Sequence, residues 1–180
     1  MRRGRTEQFC ARGAWPAFCV GRSTRTLGIT GMTDLHTLQS DSWRVELPAD
    51  WEETEGAPEG VLYFRSGDKS KAFYICTLLF ENDERTVEQI LTSIQATEIE
   101  SNSQMDDSHW KIIAQRKYCD AGVHSWRIDS YDETSSYRIQ GKLLAKLPLV
   151  VRATFHDYYV EDLNESSRYF EPIISALELT

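Results

Sequence analysis

His156 and Asp157 are neighbours of the right types for acid–base chemistry in this 180-residue chain. An imidazole beside a carboxylate can hold and pass a proton near neutral pH. Both stand in the alternating run YRIQGKLLAKLPLVVRATFHDYYV, residues 137–160. Adjacent side chains of a strand point to opposite faces, so these two do not couple to one another. A small enzyme would therefore need Asp157 or His156 to work with a group from a neighbouring strand. The same run carries Arg138, Lys142, Lys146 and Arg152 with His156 and Tyr158. Guanidinium and ammonium groups hold carboxylates, and the two rings add shape, so these six form a candidate binding set for an acidic partner segment or anionic group. The alternative is that the same charges pair with acids of a helix lying across them, or face solvent as ordinary edge protection.

Other chemistry finds little support. The four histidines, His36, His109, His124 and His156, lack metal-binding spacing. No nucleophile elbow, phosphate loop or dinucleotide glycine pattern is present, so neither metal nor cofactor is expected. Asp106–Asp107 and Glu161–Asp162 fall in loop or helix-start text, where solvated acids are the rule. Asn164–Glu165–Ser166 has the form of a glycosylation acceptor, which matters only in a secreted chain. None of the four cysteines forms a C-x-x-C pair, and Cys76 sits in an apolar strand as a small buried thiol. Reducing, cytosolic conditions are the default expectation.

The elements that must position these residues are read from periodicity. Residues 137–160 form a hairpin around Leu147–Pro148–Leu149. A three-residue loop pairs Lys142 with Thr154, Gln140 with His156 and Arg138 with Tyr158, which gathers the polar side chains on one face. Gly141 then lies opposite Phe155, whose ring would cover it. Asp157 falls on the apolar face, where a carboxylate must lie at the rim, pair with a Lys or Arg, or be protonated. A two-residue loop would pair Leu143 with Arg152 and mix the two sets, so the three-residue loop is expected.

Upstream, Trp43–Leu47, Val61–Arg65 and Lys71–Phe80 read as strands, the last covered on both faces. Thr86–Val87–Glu88–Gln89 has capping-box form, followed by Val87, Ile90, Leu91 and Ile94 at helical spacing, with the pattern fading after Ala96. Trp110–Tyr118 and His124–Tyr131 are further strands. Asn164 is a candidate N-cap for a last helix bearing Phe170, Ile173, Ile174 and Leu177, regular from about Pro172. The expected fold is α+β: an antiparallel sheet of about six to seven strands, with one mid-chain helix and one C-terminal helix packed on it.

Charge divides the chain. Residues 1–31 hold six arginines against Glu7, a net of +5, which leaves 14 bases and 27 acids, a net of −13, for residues 32–180. So acidic a domain repels nucleic acid phosphate. Residues 1–41 are expected to be a basic, disordered extension or the product of a start set too early, with Met32 the true start; an organellar transit peptide and an interrupted secretory signal are competing readings. Residues 42–180 are the expected domain. No run approaches the ~20 apolar residues of a membrane helix.

The element order, the text VELPADW at residues 45–51 and FEPIISAL at residues 170–177 resemble the PsbP-like superfamily over about Trp43 to Leu179. That group includes the photosystem II extrinsic subunit, a yeast Ran-binding import factor, DcrB-type proteins and Eag-type secretion chaperones. The resemblance implies a non-enzymatic protein-binding module, a cytosolic adaptor or secretion-associated chaperone whose partner is a secreted effector or an acidic segment. The alternatives are a small enzyme with an acid/base site near Asp157 and a single-partner immunity or assembly factor. No catalytic residue is carried over by the resemblance.

Overall fold

The structure is a computed structural model that describes residues 23–26, 35–104 and 109–180. Strands β1 (Ser23–Thr26), β2 (Leu35–Ser40), β3 (Trp43–Pro48), β4 (Glu52–Glu53), β5 (Val61–Arg65) and β6 (Lys71–Leu79) precede helix α1 (Val87–Ser103). Strands β7 (Trp110–Asp120), β8 (Val123–Asp132), β9 (Tyr137–Lys146) and β10 (Leu149–Asp157) follow, then helix α2 (Leu163–Ala176) and β11 (Glu178–Leu179). Seven strands make an antiparallel sheet in the order β4-β5-β6-β10-β9-β8-β7, and four make a small sheet in the order β1-β2-β3-β11. The architecture is the α+β fold expected, with both helices packed on the large sheet.

Two apolar layers sandwich that sheet. On one face α1 brings Ile90 and Leu91 onto Tyr74, Cys76, Trp126, Leu143 and Val150. On the other, α2 (Phe170, Ile173, Ile174) and the small sheet (Trp43, Val45, Leu47) cover Phe73, Ile75, Val151 and Phe155. The capping box of α1 is formed: the Gln89 N–H donates to Thr86 Oγ1 at 3.3 Å, and the Thr86 N–H to Gln89 Oε1 at 2.8 Å. α1 outlasts the apolar pattern because its next turns are anchored by polar contacts with the sheet: Gln95 accepts from Gln115, and Glu98 accepts from Arg152. α2 begins earlier than its apolar stripe, with Asp162 rather than Asn164 as N-cap and Pro172 inside it.

The folded unit reaches beyond the boundary expected at Ser42. β2 pairs with β3 and buries His36, Leu38 and Ser40, and β1 pairs with β2. The rest of the expectation for residues 1–41, Met32 included, falls outside the described residues. β4 is a further strand, formed between the expected strands Trp43–Leu47 and Val61–Arg65.

The hairpin register differs from the expected one by a residue. The loop is Leu147–Pro148 alone, joined by a cis peptide bond; Leu149 pairs with Lys146, Arg152 with Leu143 and Thr154 with Gly141. The expectation took polarity as the mark of an outward face. Here both covered faces carry buried polar groups, Arg138, Gln140 and Lys142 on one and Thr154 and His156 on the other, so alternation of polarity loses its phase. Packing sets the register instead. Leu143 and Val150 join the α1 layer while Phe155 stacks on Phe73, 4.6 Å between ring centroids, in the α2 layer. Gly141 consequently lies under Ile128 and Glu98 rather than Phe155.

Candidate functional site

The six residues of the expected binding set do not share a face. Arg138, Lys142 and Lys146 belong to the α2 side, whereas Arg152, His156 and Tyr158 belong to the α1 side. Arg138 and Lys142 are each only 3% exposed, His156 and Tyr158 are buried, and Lys146 alone is exposed. The common basic surface is therefore corrected: most of these groups are interior.

Each interior group is engaged by the fold. The Arg138 fork donates to Asp129 through Nε at 2.9 Å and Nη2 at 2.5 Å, and also to the Leu163 carbonyl and Ser167 Oγ, one turn apart at the start of α2. The Lys142 ammonium donates to the carbonyls of Ile174 and Leu177, both at 2.7 Å, which closes the C-terminal end of α2 from beneath. A cation there also meets the negative end of the helix dipole. Burial, reinforced by nearby Arg127, lowers the Lys142 pKa to about 8. On the other face Arg152 Nε donates to Glu98 Oε1 at 2.5 Å, tying α1 to β10.

His156 and Asp157 lie on opposite faces, as strand geometry requires. His156 has Tyr137 Oη 2.5 Å from Nδ1 and Thr154 Oγ1 3.0 Å from Nε2, inside an aromatic group with Tyr74 and Tyr158. Asp157 sits on the α2 face rather than among Tyr137 and Leu143. There it accepts from Ser166 Oγ at 2.7 Å, with Lys71 Nζ 4.0 Å away. Ser166 of the glycosylation-like triplet is thus buried in a carboxylate contact. Among the described residues no group of three or more His, Cys, Asp or Glu side chains could hold a metal ion.

The feature that departs from this economy is β7. It ends the large sheet, and all of its eleven residues but Trp110 are exposed. Ile112 (50%), Ile113 (43%) and Tyr118 (50%) stand in solvent, and the register shifts between Ile112 and Ala114, where Ile113 forms a bulge. Its inner side pairs with β8; among the described residues no strand pairs with its outer side. An edge strand presents a row of backbone donors and acceptors to any other strand. The opposite edge, β4, is two residues long and acidic, which are ordinary ways of blunting an edge. β7 is eleven residues long and, besides its bulge, carries Lys111, Arg116 and Lys117 against Asp120, a local reversal of the sign of an acidic domain. The sequence marks this stretch as a strand but not as an edge. The available signal is Lys111–Ile112–Ile113–Ala114–Gln115–Arg116–Lys117, which keeps neither the continuous apolar run of a central strand nor a clean alternation.

No helix among the described residues is long and apolar enough to cross a membrane. In sequence the chain matches no protein family and no curated protein. In structure it is similar to cyanobacterial PsbP (CyanoP) from Synechocystis sp. PCC 6803, with TM-score 0.60 and 12% identity over 94% of this chain and 99% of that one. A Pseudomonas aeruginosa protein of unknown function, PA94, aligns with TM-score 0.44 and 15% identity over 71% of this chain and 85% of that one. A Bacteroides thetaiotaomicron protein aligns with TM-score 0.41 and 15% identity over 77% and 45%. At such identities the likeness to CyanoP is one of fold: the chain has the PsbP-like fold.

Proposed function

We propose that this chain of PsbP-like fold is a non-enzymatic protein-binding module, an adaptor or chaperone, that takes an extended acidic segment of its partner as an added strand on β7. The observation that carries this reading is the edge itself: eleven residues with two adjacent isoleucines and a tyrosine in solvent, beside a sheet whose other edge is blunted. Added strands gain affinity from backbone hydrogen bonds and specificity from alternate side chains. The net positive charge of β7 favours an acidic segment and speeds its encounter. A binding module also fits the interior, where Arg138, Lys142, Arg152 and Asp157 hold helices to the sheet. The rival reading, an enzyme using Asp157 or His156 with a group from a neighbouring strand, has less support because both side chains are buried and held, Asp157 by Ser166 Oγ and His156 against Tyr137 Oη. Cys119 is an exposed free thiol, which suits the cytosol.

The test is selection of displayed random peptides on the immobilised protein. The expected result is enrichment of acidic, β-forming sequences that no longer bind an Ile112→Glu/Tyr118→Glu variant of normal fold. Failure to enrich any sequence, or enriched peptides that bind this variant equally well, would remove β7 as the docking edge.

A further inference from the structure

Three cations stand side by side on the α2 face. Arg116 of β7 pairs directly with Arg127 of β8, and Arg127 with Lys142 of β9. Like charges directly opposite one another repel, so the row needs compensation. At its inner end Lys142 is met by two helix carbonyls. In the middle Arg127 is held by both oxygens of Glu171, at 2.8 and 2.7 Å, and that contact lowers the Glu171 pKa to about 2. The outer end has no such direct contact among the described residues: Arg116 feels the Glu171 carboxylate only at longer range. Lys111 is paired with Glu133 at 2.7 Å and Lys117 with Glu88 at 3.7 Å, while Arg116 makes no ion pair among the described residues and is exposed.

A strand added to β7 would place one side chain opposite Arg116, about 4.5–5.5 Å away between Cβ atoms, as the next member of that row. A carboxylate there would terminate the row with its counter-charge, and a lysine would extend it to a fourth cation. The adjacent partner position faces the other way, over Lys117. Glu88 already stands there, so an acid gains less. Two positions along from Arg116 on the same face is Tyr118, whose exposed ring suits an apolar or β-branched neighbour. On the reading of β7 as the docking edge, we propose that the partner strand is selected by a carboxylate at the single position opposite Arg116. Within the acidic segment that β7 takes, this one carboxylate thus sets the register and most of the charge preference.

The test uses two fluorescein-labelled synthetic nine-residue peptides of alternating Thr and Val, with either Glu or Lys at the centre. Binding to the full chain is followed by anisotropy at low salt. The Glu peptide should bind about fivefold or more tightly than the Lys peptide, the swing expected when one exposed ion pair replaces one like-charge contact. Arg116→Glu should invert the order and Arg116→Gln should abolish the preference, whereas Lys117→Glu should keep the Glu peptide ahead. Arg116→Gln keeps the test open should the reversal impair folding. Equal binding of both peptides, or a preference that survives Arg116→Gln, would overturn the proposal while leaving the docking edge standing. If neither peptide binds, the docking edge falls and this proposal with it.

Discussion

Replacing Lys142 with Met keeps the length of the side chain but removes its charge and both of its hydrogen bonds. Two opposed effects follow. Burial holds the Lys142 pKa at about 8 in the folded protein, against ~10.4 in an unfolded chain. That gap corresponds to a folded-state penalty on the charged form of roughly 3 kcal/mol, which Met relieves. Against it, the carbonyls of Ile174 and Leu177 lose their donor in a buried place, at a cost of ~1–3 kcal/mol each. Near neutral pH the two nearly cancel, and the variant should lie within about 2 kcal/mol of wild type. The pH dependence separates them. Between pH about 8 and ~10.4 the unfolded chain binds more protons than the folded one, so the stability contributed at this site rises with pH across that window. The neutral amine still has two N–H groups for two carbonyls. Urea unfolding of both proteins at several pH values, taken as a difference, cancels the other titrating groups. Wild type should gain on Lys142→Met by roughly 3 kcal/mol over the window. A difference that stays flat or shrinks as pH rises would show that Lys142 is not a buried ammonium closing α2.

Three further outcomes follow from the interior contacts. Gly141→Ala would bring its Cβ to 2.9 Å from Ile128 Cγ2 and should lower stability by about 1–3 kcal/mol in the same urea assay. Ser166→Ala leaves the buried Asp157 carboxylate with Lys71 alone at 4.0 Å, and should lose about 1.5–3 kcal/mol, seen as a lowered melting temperature. Glu171 has its pKa lowered by Arg127, so its stabilising contribution is present above the unfolded value of ~4.3 and is lost as pH falls toward about 2; Glu171→Gln should flatten that part of the acid unfolding curve.

How far the sequence could be read depended on whether polarity reported exposure. It did so for Val61–Arg65, whose ends are those of β5, and for the capping box at Thr86, where the hydrogen bonds are local. It failed along residues 137–157. Arg138, Gln140 and Lys142 are buried under α2 and Arg152, Thr154 and His156 lie on the α1 face, so polar residues carry no information about phase there. The same cause hid the last turns of α1, held by Glu98 and Gln95 rather than by apolar side chains. The candidate site was illegible for another reason. Whether a strand is an edge depends on the order of strands in the sheet, which no single strand encodes.

The central claim, that β7 receives a partner strand, is tested most directly by amide hydrogen exchange with a selected peptide present and absent. In the free protein the outward amides of β7 should exchange within the fastest class, since no strand among the described residues covers them. With peptide bound, protection should appear in residues 110–120 and nowhere else in the large sheet, together with cross-strand contacts from the peptide to β7. Protection that appears instead over α1 or the small sheet, with β7 unchanged, would contradict the account.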